Sequence, residues 1–314
     1  MTRLAGNSTE AWHGVFGRAR TTTDRDENGC AVAEGATGLW DRWLSMIGRI
    51  ARAILSLTRT QWNLRVESGN TAEAQAFADF DRVFEMDGRE VSGGRFCRVV
   101  KVNLEGRDYF VKRYHPHGEH FRKAFGRSWP VVEYRNLAYF QQMGIPVPRV
   151  VAYGSQRVLG LFRRGVIVTE GVPQAVDLKS FARARPEFFH DRIQVTRLLL
   201  LVADYVRRIH EDGFTHRDLK WRNLLVTLEE TPQVFFLDCP RGGHRRRPWH
   251  EHRVIKDLAT LDRLAVQYLS RTTRLRFYLA YRNQTRLTDG DKSFIARVLA
   301  YRGQKRRVSS SQRI

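Results

Sequence analysis

The sequence predicts an α+β fold in which a small β-rich half precedes a mostly helical half. Runs of β-branched and aromatic residues, separated by turn residues, recur between residues 80 and 170. A long apolar stripe with helical spacing follows at residues 191–210, and the remainder is helical in pattern and strongly basic. These patterns place the two halves at residues 80–172 and 173–314, after an extension of residues 1–79.

Composition predicts a folded chain with an anionic partner. At 314 residues the chain allows one large domain or two modest ones, and 42% hydrophobic residues exclude a wholly disordered protein. The 54 Lys and Arg residues outnumber the 33 Asp and Glu residues, which gives a net charge of +21. Such a surface attracts nucleic acid, anionic lipid headgroups or phosphorylated glycans, and composition alone does not choose among them.

The cysteines and the start of the chain predict a cytoplasmic location. Cys30, Cys97 and Cys239 lie far apart without a CxxC pair, which argues against a disulfide framework or a cysteine zinc site. No stretch approaches the ~20 apolar residues of a membrane-spanning helix. Residues 1–9 lack a basic start followed by an apolar segment, so no secretory signal is expected.

The extension contains one segment with a helical pattern. Residues 1–38 are rich in Gly, Thr, Ala and Asn and are typical of a loose leader. Between Leu39 and Leu57, tryptophan, leucine and isoleucine side chains fall on one helical face with arginines beside it. Such an amphipathic helix can lie on a membrane surface or pack on the main domain, and both interpretations stay open.

The β-rich half combines strands with one helix. Four strands are predicted in it, at residues 96–102, 108–114, 147–152 and 165–169. Residues 105–107 form the turn between the first two strands. The helix is predicted over residues 130–143, because Pro130 suits a helix start and Gly144 a helix end.

The helical half begins after residue 173. Asp177 can cap a short helix, and the long helix over residues 191–210 is stopped by Gly213. Two short strands are then predicted at residues 224–227 and 234–237. The segment between the long helix and these strands is the one that carries chemistry.

That segment runs from His216 to Asn223 and is followed, beyond the predicted hairpin, by Asp238. Phosphoryl transfer from ATP needs a carboxylate that orients the attacking hydroxyl and accepts its proton. It also needs oxygen ligands that hold Mg²⁺ against the β- and γ-phosphates. Asp218 and Asn223, five positions apart, together with Asp238 supply these groups, and Lys220 can neutralise charge on the transferred phosphoryl group.

With these residues the chain resembles the protein-kinase-like superfold, and within it the lipopolysaccharide kinase (Kdo/WaaP, InaA-like) family, over about residues 80–285. That family phosphorylates sugars of the lipopolysaccharide inner core. The resemblance implies a bilobal fold, with a small β-rich N-lobe and a mostly helical C-lobe, and ATP and Mg²⁺ as cofactors. It also implies that Asp218 is the catalytic base, that Lys220 assists the transferred phosphate, and that Asn223 and Asp238 bind Mg²⁺.

A nucleotide-binding lysine can be matched as well. The run Tyr109–Tyr114 has the form of the strand that presents a lysine to the α- and β-phosphates, which singles out Lys112. Glu133 falls 21 positions later, near the start of the next predicted helix, where its carboxylate would face the lysine. A lysine on a strand is by itself an ordinary edge residue, so this assignment depends on the catalytic loop.

Two features depart from the kinase pattern. The loop before Lys112 offers only Gly93 and Gly94 within Ser92–Arg95, in place of GxGxxG. It can cover phosphates with backbone N–H groups or be a structural turn. Asp238 is followed by Cys239-Pro240 in place of Phe-Gly, so the usual activity switch is expected to be missing.

The segment after Asp238 indicates the kind of substrate. Asp257, which resembles the aspartate that anchors the catalytic loop, comes only 19 residues later, and no Ala-Pro-Glu appears. That span is too short for a peptide-docking platform, which favours a small or glycan hydroxyl. Residues 241–253 carry a run of arginines that can bind an anionic acceptor or form a solvated basic loop.

The sequence therefore predicts a kinase for a heptose or Kdo hydroxyl of the lipopolysaccharide inner core. The expected acceptor is the core or a lipid A-linked glycan, and the expected location is the cytoplasmic face of the inner membrane, against an anionic membrane surface. Three alternatives are a Ser/Thr protein kinase, a non-catalytic scaffold and a nucleic-acid binder. A protein kinase would need a peptide-docking platform, which is missing here, and a scaffold would not need the complete set of polar residues. No nucleic-acid module is present, so no specific nucleic acid is expected. Protein partners and oligomeric state are not indicated.

Overall fold

The computed structural model describes residues 44–47, 57–67, 69–94, 97–115, 128–227, 232–246 and 249–311, with side chains as far as residue 302. The chain divides into two compact units, residues 1–53 and 54–314. Residues 44–47 of the first unit are helical, with Leu44 and Ile47 exposed. The rest of the helix predicted over residues 39–57 lies outside the described residues, apart from Leu57 itself, which is in a turn.

The N-lobe is built on an antiparallel sheet, which has six strands within the described residues. The strands are β1 (Thr58–Leu64), β2 (Arg89–Gly93), β3 (Cys97–Leu104), β4 (Arg107–Tyr114), β5 (Val150–Val158) and β6 (Leu161–Glu170). Their order across the sheet is β1-β5-β6-β4-β3-β2. The predicted hairpin is confirmed: β3 and β4 are joined at Glu105 and Gly106, both with positive φ, as a two-residue turn requires.

The N-lobe begins earlier than the predicted boundary at residue 80. Strand β1 pairs along its whole length with β5, and the helix α1 (Thr71–Ala76) follows it. Glu73 of α1 is buried and accepts hydrogen bonds from Tyr109 and Arg149. Strand β1 is therefore part of the sheet, and α1 is bonded to it through Glu73. The sequence gives no signal for β1 because it is an edge strand with five exposed residues out of seven.

Two helices connect the sheet to the rest of the fold. The short helix α2 (Phe80–Glu85) packs Phe80 and Val83 into a small core of sheet valines. The helix α3 (Trp129–Gln142), predicted at residues 130–143, has Pro in its first turn and is followed by Gly144 at φ +67°. Helix α3 packs against β5 and β6 and contributes to the large core that continues into the C-lobe.

The C-lobe is mainly helical. Its helices are α4 (Leu178–Ala184), α5 (Arg192–Glu211), α6 (Trp249–Tyr268), α7 (Arg271–Tyr281) and α8 (Asp289–Ser311). The long helix predicted over residues 191–210 is confirmed as α5. Asp191 caps it by accepting the N–H groups of Ile193 and Gln194, and Gly213 follows it at φ +80°. Among the described residues, no helix combines the length and the apolar character needed to cross a bilayer.

Short strands at the lobe boundary position the loop of interest. They are β7 (Val176–Asp177), β8 (Phe214–Thr215), β9 (Leu224–Thr227), β10 (Gln233–Phe236) and β11 (Gly243–His244). Strands β9 and β10 form the predicted hairpin, and β8 pairs with β11. The loop of residues 216–223 is therefore held at one end by β8 and at the other by β9, between the two lobes.

Candidate active site

A buried aspartate fixes the backbone of the loop. Asp257 of α6 is fully buried and accepts the N–H groups of His216, at 2.7 Å, and Arg217, at 2.8 Å. Arg217 has a φ of +68°, a left-handed conformation that a non-glycine residue holds only when its surroundings enforce it. The two charge-assisted bonds supply that enforcement, and they are the anchoring expected of Asp257.

The polar side chains of the loop point toward one another. The ammonium of Lys220 lies 2.5 Å from the Oδ1 atom of Asp218. Asn223, which is buried, donates its amide N–H to the backbone carbonyl of Asp218 at 2.8 Å. The buried indole of Trp221 holds the base of the loop by donating to the carbonyl of Leu261. Because the amide nitrogen of Asn223 is engaged, its amide oxygen remains to act as an acceptor or ligand.

Asp238 is delivered to the same place by the strand that precedes it. The N–H of Leu237 donates to the carbonyl of Asn223 at 2.9 Å, so Asp238 directly follows a residue bonded to the loop. The ring Nε2 of His216 contacts the carbonyl of Leu237 at 3.1 Å. Burial lowers the pKa of His216 below its usual value, so the neutral ring donates from Nε2. Asp238 itself has a φ of +53°, a second strained position at this site.

Lys112 joins the two lobes at this point. Its ammonium lies 2.9 Å from Glu133 of α3 and 2.5 Å from Asp238. The lysine and Glu133 are almost fully buried, and the hydroxyl of Tyr114 donates to Glu133 as well. Burial by itself would lower the pKa of Lys112, but the charges of Glu133 and Asp238 raise it well above its usual value.

The same charge pair acts on Asp238. Burial raises the pKa of this carboxyl, and the neighbouring ammonium of Lys112 more than offsets the rise, so the pKa lies below its usual value. Lys112 and Asp238 are therefore both charged at neutral pH. A buried lysine held between two carboxylates is a fixed cation at the boundary of the lobes, where an anion can approach it.

The structure thus brings together six of the eight predicted site residues: Lys112, Glu133, Asp218, Lys220, Asn223 and Asp238. The two glycines lie elsewhere on the sheet. Gly93 pairs with Arg98, and the N–H of Gly94 donates to the carbonyl of Cys97, which closes the β2–β3 hairpin. This N–H is already bonded, so it is not available to a phosphate in this conformation. The hairpin turn does lie at the end of the sheet toward which β4 presents Lys112.

Two residues of the site escaped sequence reasoning. Tyr114 stands two positions after Lys112, so it shares the same face of β4, and this alternation is the signal that could have found it. Cys97 is half-buried near Lys112, Asp238 and Glu133, and burial raises the pKa of its thiol. Against the kinase pattern G-x-G-x-x-G-x-V, Ser92–Val99 keeps only the second glycine, at Gly94, and the final valine, with serine and cysteine at the other two glycine positions.

In the basic segment after Asp238, two histidines are bonded to other parts of the C-lobe. The ring of His244 contacts Asp212 at 2.7 Å, and the ring of His250 contacts the carbonyl of His210 at 2.9 Å. These histidines are therefore bonded within the C-lobe.

A model of the lipopolysaccharide kinase (Kdo/WaaP) family matches residues 78–288. The chain belongs to this family. It is 28% identical over 211 residues to lipopolysaccharide core heptose(I) kinase WaaP of Pseudomonas aeruginosa strain PAO1, covering 62% of this chain and 75% of that protein. A solved structure described as WaaP in complex with acyl carrier protein resembles it with a TM-score of 0.56 and 22% identity, covering 77% of this chain and 97% of the other.

Membership in the Kdo/WaaP family confirms the resemblance predicted from the catalytic loop. It makes the protein a kinase that phosphorylates a sugar hydroxyl in lipopolysaccharide core biosynthesis. The structural likeness confirms the α+β fold with a sheet lobe and a helical lobe. The family assignment also disfavours the alternatives of a protein kinase, a non-catalytic scaffold and a nucleic-acid binder.

Proposed function

We propose that the protein transfers the γ-phosphoryl group of ATP to a heptose hydroxyl of the lipopolysaccharide inner core. The observation that carries this proposal is the ammonium of Lys112 held between Glu133 and Asp238, with Asp218 and Asn223 bonded to each other alongside. Such an arrangement sets a fixed cation, a metal-binding carboxylate and a proton acceptor at one point between the lobes.

Each residue has a role that follows from its surroundings. Lys112 binds the α- and β-phosphates, and Glu133 positions it through two hydrogen bonds. Asp218 orients the acceptor hydroxyl and accepts its proton, since its carboxylate is half-exposed and therefore reachable. Lys220, now 2.5 Å from Asp218, neutralises charge that builds up on the transferred phosphoryl group.

The residues present fit a magnesium ion bound together with the nucleotide. Asp238 offers a carboxylate and Asn223 an amide oxygen, and Mg²⁺ is commonly held by one or two protein ligands plus substrate phosphates. Within the described ranges no group of three or more His, Cys, Asp or Glu side chains could hold a metal unaided. When bound, Mg²⁺ would neutralise the β- and γ-phosphates. Gly93 and Gly94 stay predicted as the cover of those phosphates, through a hairpin that would have to rearrange.

Heptose is proposed over Kdo because a relative of the chain, WaaP of Pseudomonas aeruginosa, is a heptose(I) kinase. The test is a phosphorylation assay with MgATP, using deacylated core oligosaccharide as acceptor and casein for comparison. Mass spectrometry of the product then identifies the sugar that gains a phosphate. Phosphate on Kdo would correct the sugar, and phosphorylation of casein alone would refute the proposed function.

Asp218 gives the residue-level test of the same proposal. Removal of a general base costs about 10²- to 10⁴-fold in rate, so Asp218→Asn should lose activity by that factor. Asp204→Asn is the matched control, because Asp204 is an exposed carboxylate of α5 that pairs with Arg207. Retention of activity within twofold by Asp218→Asn would show that another group accepts the proton.

We also propose that the enzyme acts at the cytoplasmic face of the inner membrane. The net charge of +21 and the amphipathic pattern of residues 39–57 support it, since both suit an anionic lipid surface. The full chain should sediment with vesicles that contain phosphatidylglycerol, and a variant with Trp40, Trp43 and Ile47 changed to serine should not. Equal sedimentation of both proteins would leave this segment with a packing role.

An acyl carrier protein is proposed as a protein partner. The solved relative was described in complex with one. In the C-lobe of this chain, a cavity of about 500 Å³ is lined mainly by apolar side chains, including Leu199, and none of the predicted site residues lines it. That volume and lining suit an acyl chain.

The cavity allows a matched pair of variants for this partner. Leu199 lines the cavity, whereas Leu200 beside it is 50% exposed and does not. Acyl-loaded carrier protein should co-elute with the native chain and with Leu200→Trp, and not with Leu199→Trp. Equal binding of unloaded carrier protein to all three would show that the cavity plays no part.

A further inference from the structure

Three arginines from separate segments converge beside the catalytic loop. Arg217 directly precedes Asp218, Arg245 follows β11, and Arg253 lies in the second turn of α6. Burial lowers the pKa of Arg253, and the charges of Arg217 and Arg245 lower it further. Arg217 and Arg245 therefore both lie near Arg253, 36 and 8 residues away along the chain. The backbone agrees, because Arg217 donates its N–H to Asp257, one turn after Arg253 on α6, and Arg245 follows β11, which pairs with the strand β8 just before Arg217.

The fold holds these residues together through their backbones. The N–H of Arg217 donates to Asp257, and the N–H of Arg245 donates to the carbonyl of Gly213 at 3.1 Å. The guanidinium of Arg217 also donates to the carbonyl of Arg241 at 3.1 Å, which fixes its direction. The backbone thus keeps like charges in place at a cost in electrostatic repulsion.

The buried carboxylate of Asp257 offsets only part of that repulsion at Arg253. Within the described residues, none of the three guanidinium groups lies within 4 Å of an Asp or Glu oxygen. Other arginines of the chain are paired in this way, including Arg274 and Arg302, which both contact Asp262. An anion bound between the three arginines would remove the repulsion and accept several N–H donors at once.

The position of the cluster says what the anion belongs to. Arg217 is adjacent in the chain to the proposed base, and Arg241, whose carbonyl it contacts, is three residues after Asp238. A group bound here is on the C-lobe side of the reacting centre, opposite the N-lobe lysine assigned to the nucleotide. His244 and His250 of the same segment are bonded within the C-lobe, which leaves its arginines as candidates to bind an acceptor.

We propose that Arg217, Arg245 and Arg253 form an anion site that binds a phosphate group already present on the acceptor and so selects the acceptor. This inference rests on the proposed function, because it assumes a phosphorylated glycan as acceptor. Guanidinium groups bind phosphate with paired hydrogen bonds, which a neutral glycan cannot offer.

Kinetics with altered acceptors test the site. Arg245→Gln and Arg253→Gln should each raise the KM for core oligosaccharide about tenfold or more, while the KM for ATP stays within twofold. Arg197→Gln is the matched control, since Arg197 is exposed on α5 about 21 Å from the end of that helix nearest the site. Enzymatic dephosphorylation of the oligosaccharide should raise the KM of the native enzyme equally, and should add nothing in Arg253→Gln.

Carboxyl-reduced oligosaccharide separates phosphate from carboxylate as the bound group. It should keep the native KM; if it behaves as the dephosphorylated acceptor should, the phosphate assignment is wrong. Equal KM values for Arg245→Gln, Arg253→Gln and Arg197→Gln would overturn the site itself, because net charge alone would then explain the effect.

A binding measurement keeps the two proposals separable. With MgADP present, inorganic phosphate should raise the thermal unfolding midpoint of the native chain and of Arg197→Gln, and not of Arg253→Gln. If no oligosaccharide is phosphorylated but this difference is found, the anion site stands and the proposed function fails. If phosphate stabilises all three proteins alike, the anion site is refuted whatever the substrate.

Discussion

Glu133 offers a sharp test of how the site is held together. Glu133 is 4% exposed, and its carboxylate accepts two hydrogen bonds from Lys112 and a third from Tyr114. Glu133→Gln keeps the shape of the side chain but removes its charge. Only one of the two carboxylate positions remains an acceptor in the amide. The nitrogen at the other position is a donor, and it faces a donor.

The expected loss can be estimated from the bonds involved. A hydrogen bond to a charged group contributes about 1.5–3 kcal/mol, and each 1.36 kcal/mol changes a rate tenfold. Since Lys112 keeps its 2.5 Å contact with Asp238, one such bond is the appropriate loss. Glu133→Gln should therefore lower kcat/KM for ATP by about 10- to 150-fold. We expect kcat/KM to decrease because Lys112 would shift toward Asp238 and away from the nucleotide phosphates.

The assay is the initial rate at varied ATP with saturating core oligosaccharide. Glu211→Gln is the matched control, because Glu211 is an exposed carboxylate that pairs with Arg207 within α5. Circular dichroism and a urea unfolding curve establish that Glu133→Gln is folded under the assay conditions. A folded Glu133→Gln enzyme whose kcat/KM for ATP lies within twofold of the native value would refute the positioning role of Glu133.

Three further predictions concern the loop and the N-lobe. Burial keeps the pKa of His216 below 6.5, so the unfolded chain takes up a proton before the folded chain as the pH is lowered. The urea midpoint should therefore decrease from pH 7 to pH 5, and decrease less in His216→Gln. Asp257→Asn loses one of two charge-assisted bonds to the loop and should lower kcat about 10- to 100-fold with little change in the KM for ATP, measured by steady-state kinetics. Glu73→Gln should lower the free energy of unfolding by about 3 kcal/mol in urea titrations, the low end for breaking a buried pair, because Arg149 retains Glu170. An unchanged pH slope, kcat or unfolding midpoint, respectively, would contradict each one.

Elements with strong local signals could be predicted from the sequence. The hairpin β3–β4, helices α3 and α5, and the hairpin β9–β10 are all found close to their predicted bounds. Helix caps, turn residues and hydrophobic periodicity depend on residues within about two or three helical turns of one another. They can therefore be recognised in the sequence without knowledge of tertiary contacts. Strand β1 and the short helices α1 and α2 were missed, since an exposed edge strand has no alternation and six-residue helices have little period.

The same distinction applies to the site, where some features were predictable from the sequence and others were not. The spacing of Asp218, Lys220 and Asn223 predicts a catalytic loop because the proposed chemistry lies within eight residues. The third bond on Glu133 and the convergence of the three arginines were not predictable from spacing, since the residues involved come from different elements.

By itself, then, the sequence determined the kinase family and the order of the main elements, and it predicted the reacting groups. Tertiary structure alone decided where the N-lobe begins, that Asp238 reaches Lys112 across 126 residues, and that Arg217, Arg245 and Arg253 share one place. The physical reason is that motifs and hydrophobic periodicity involve residues that are close together in the sequence. Contacts between charges on separate elements depend instead on how the β8–β11 pair, α6 and the two lobes pack, and packing is a property of the whole core.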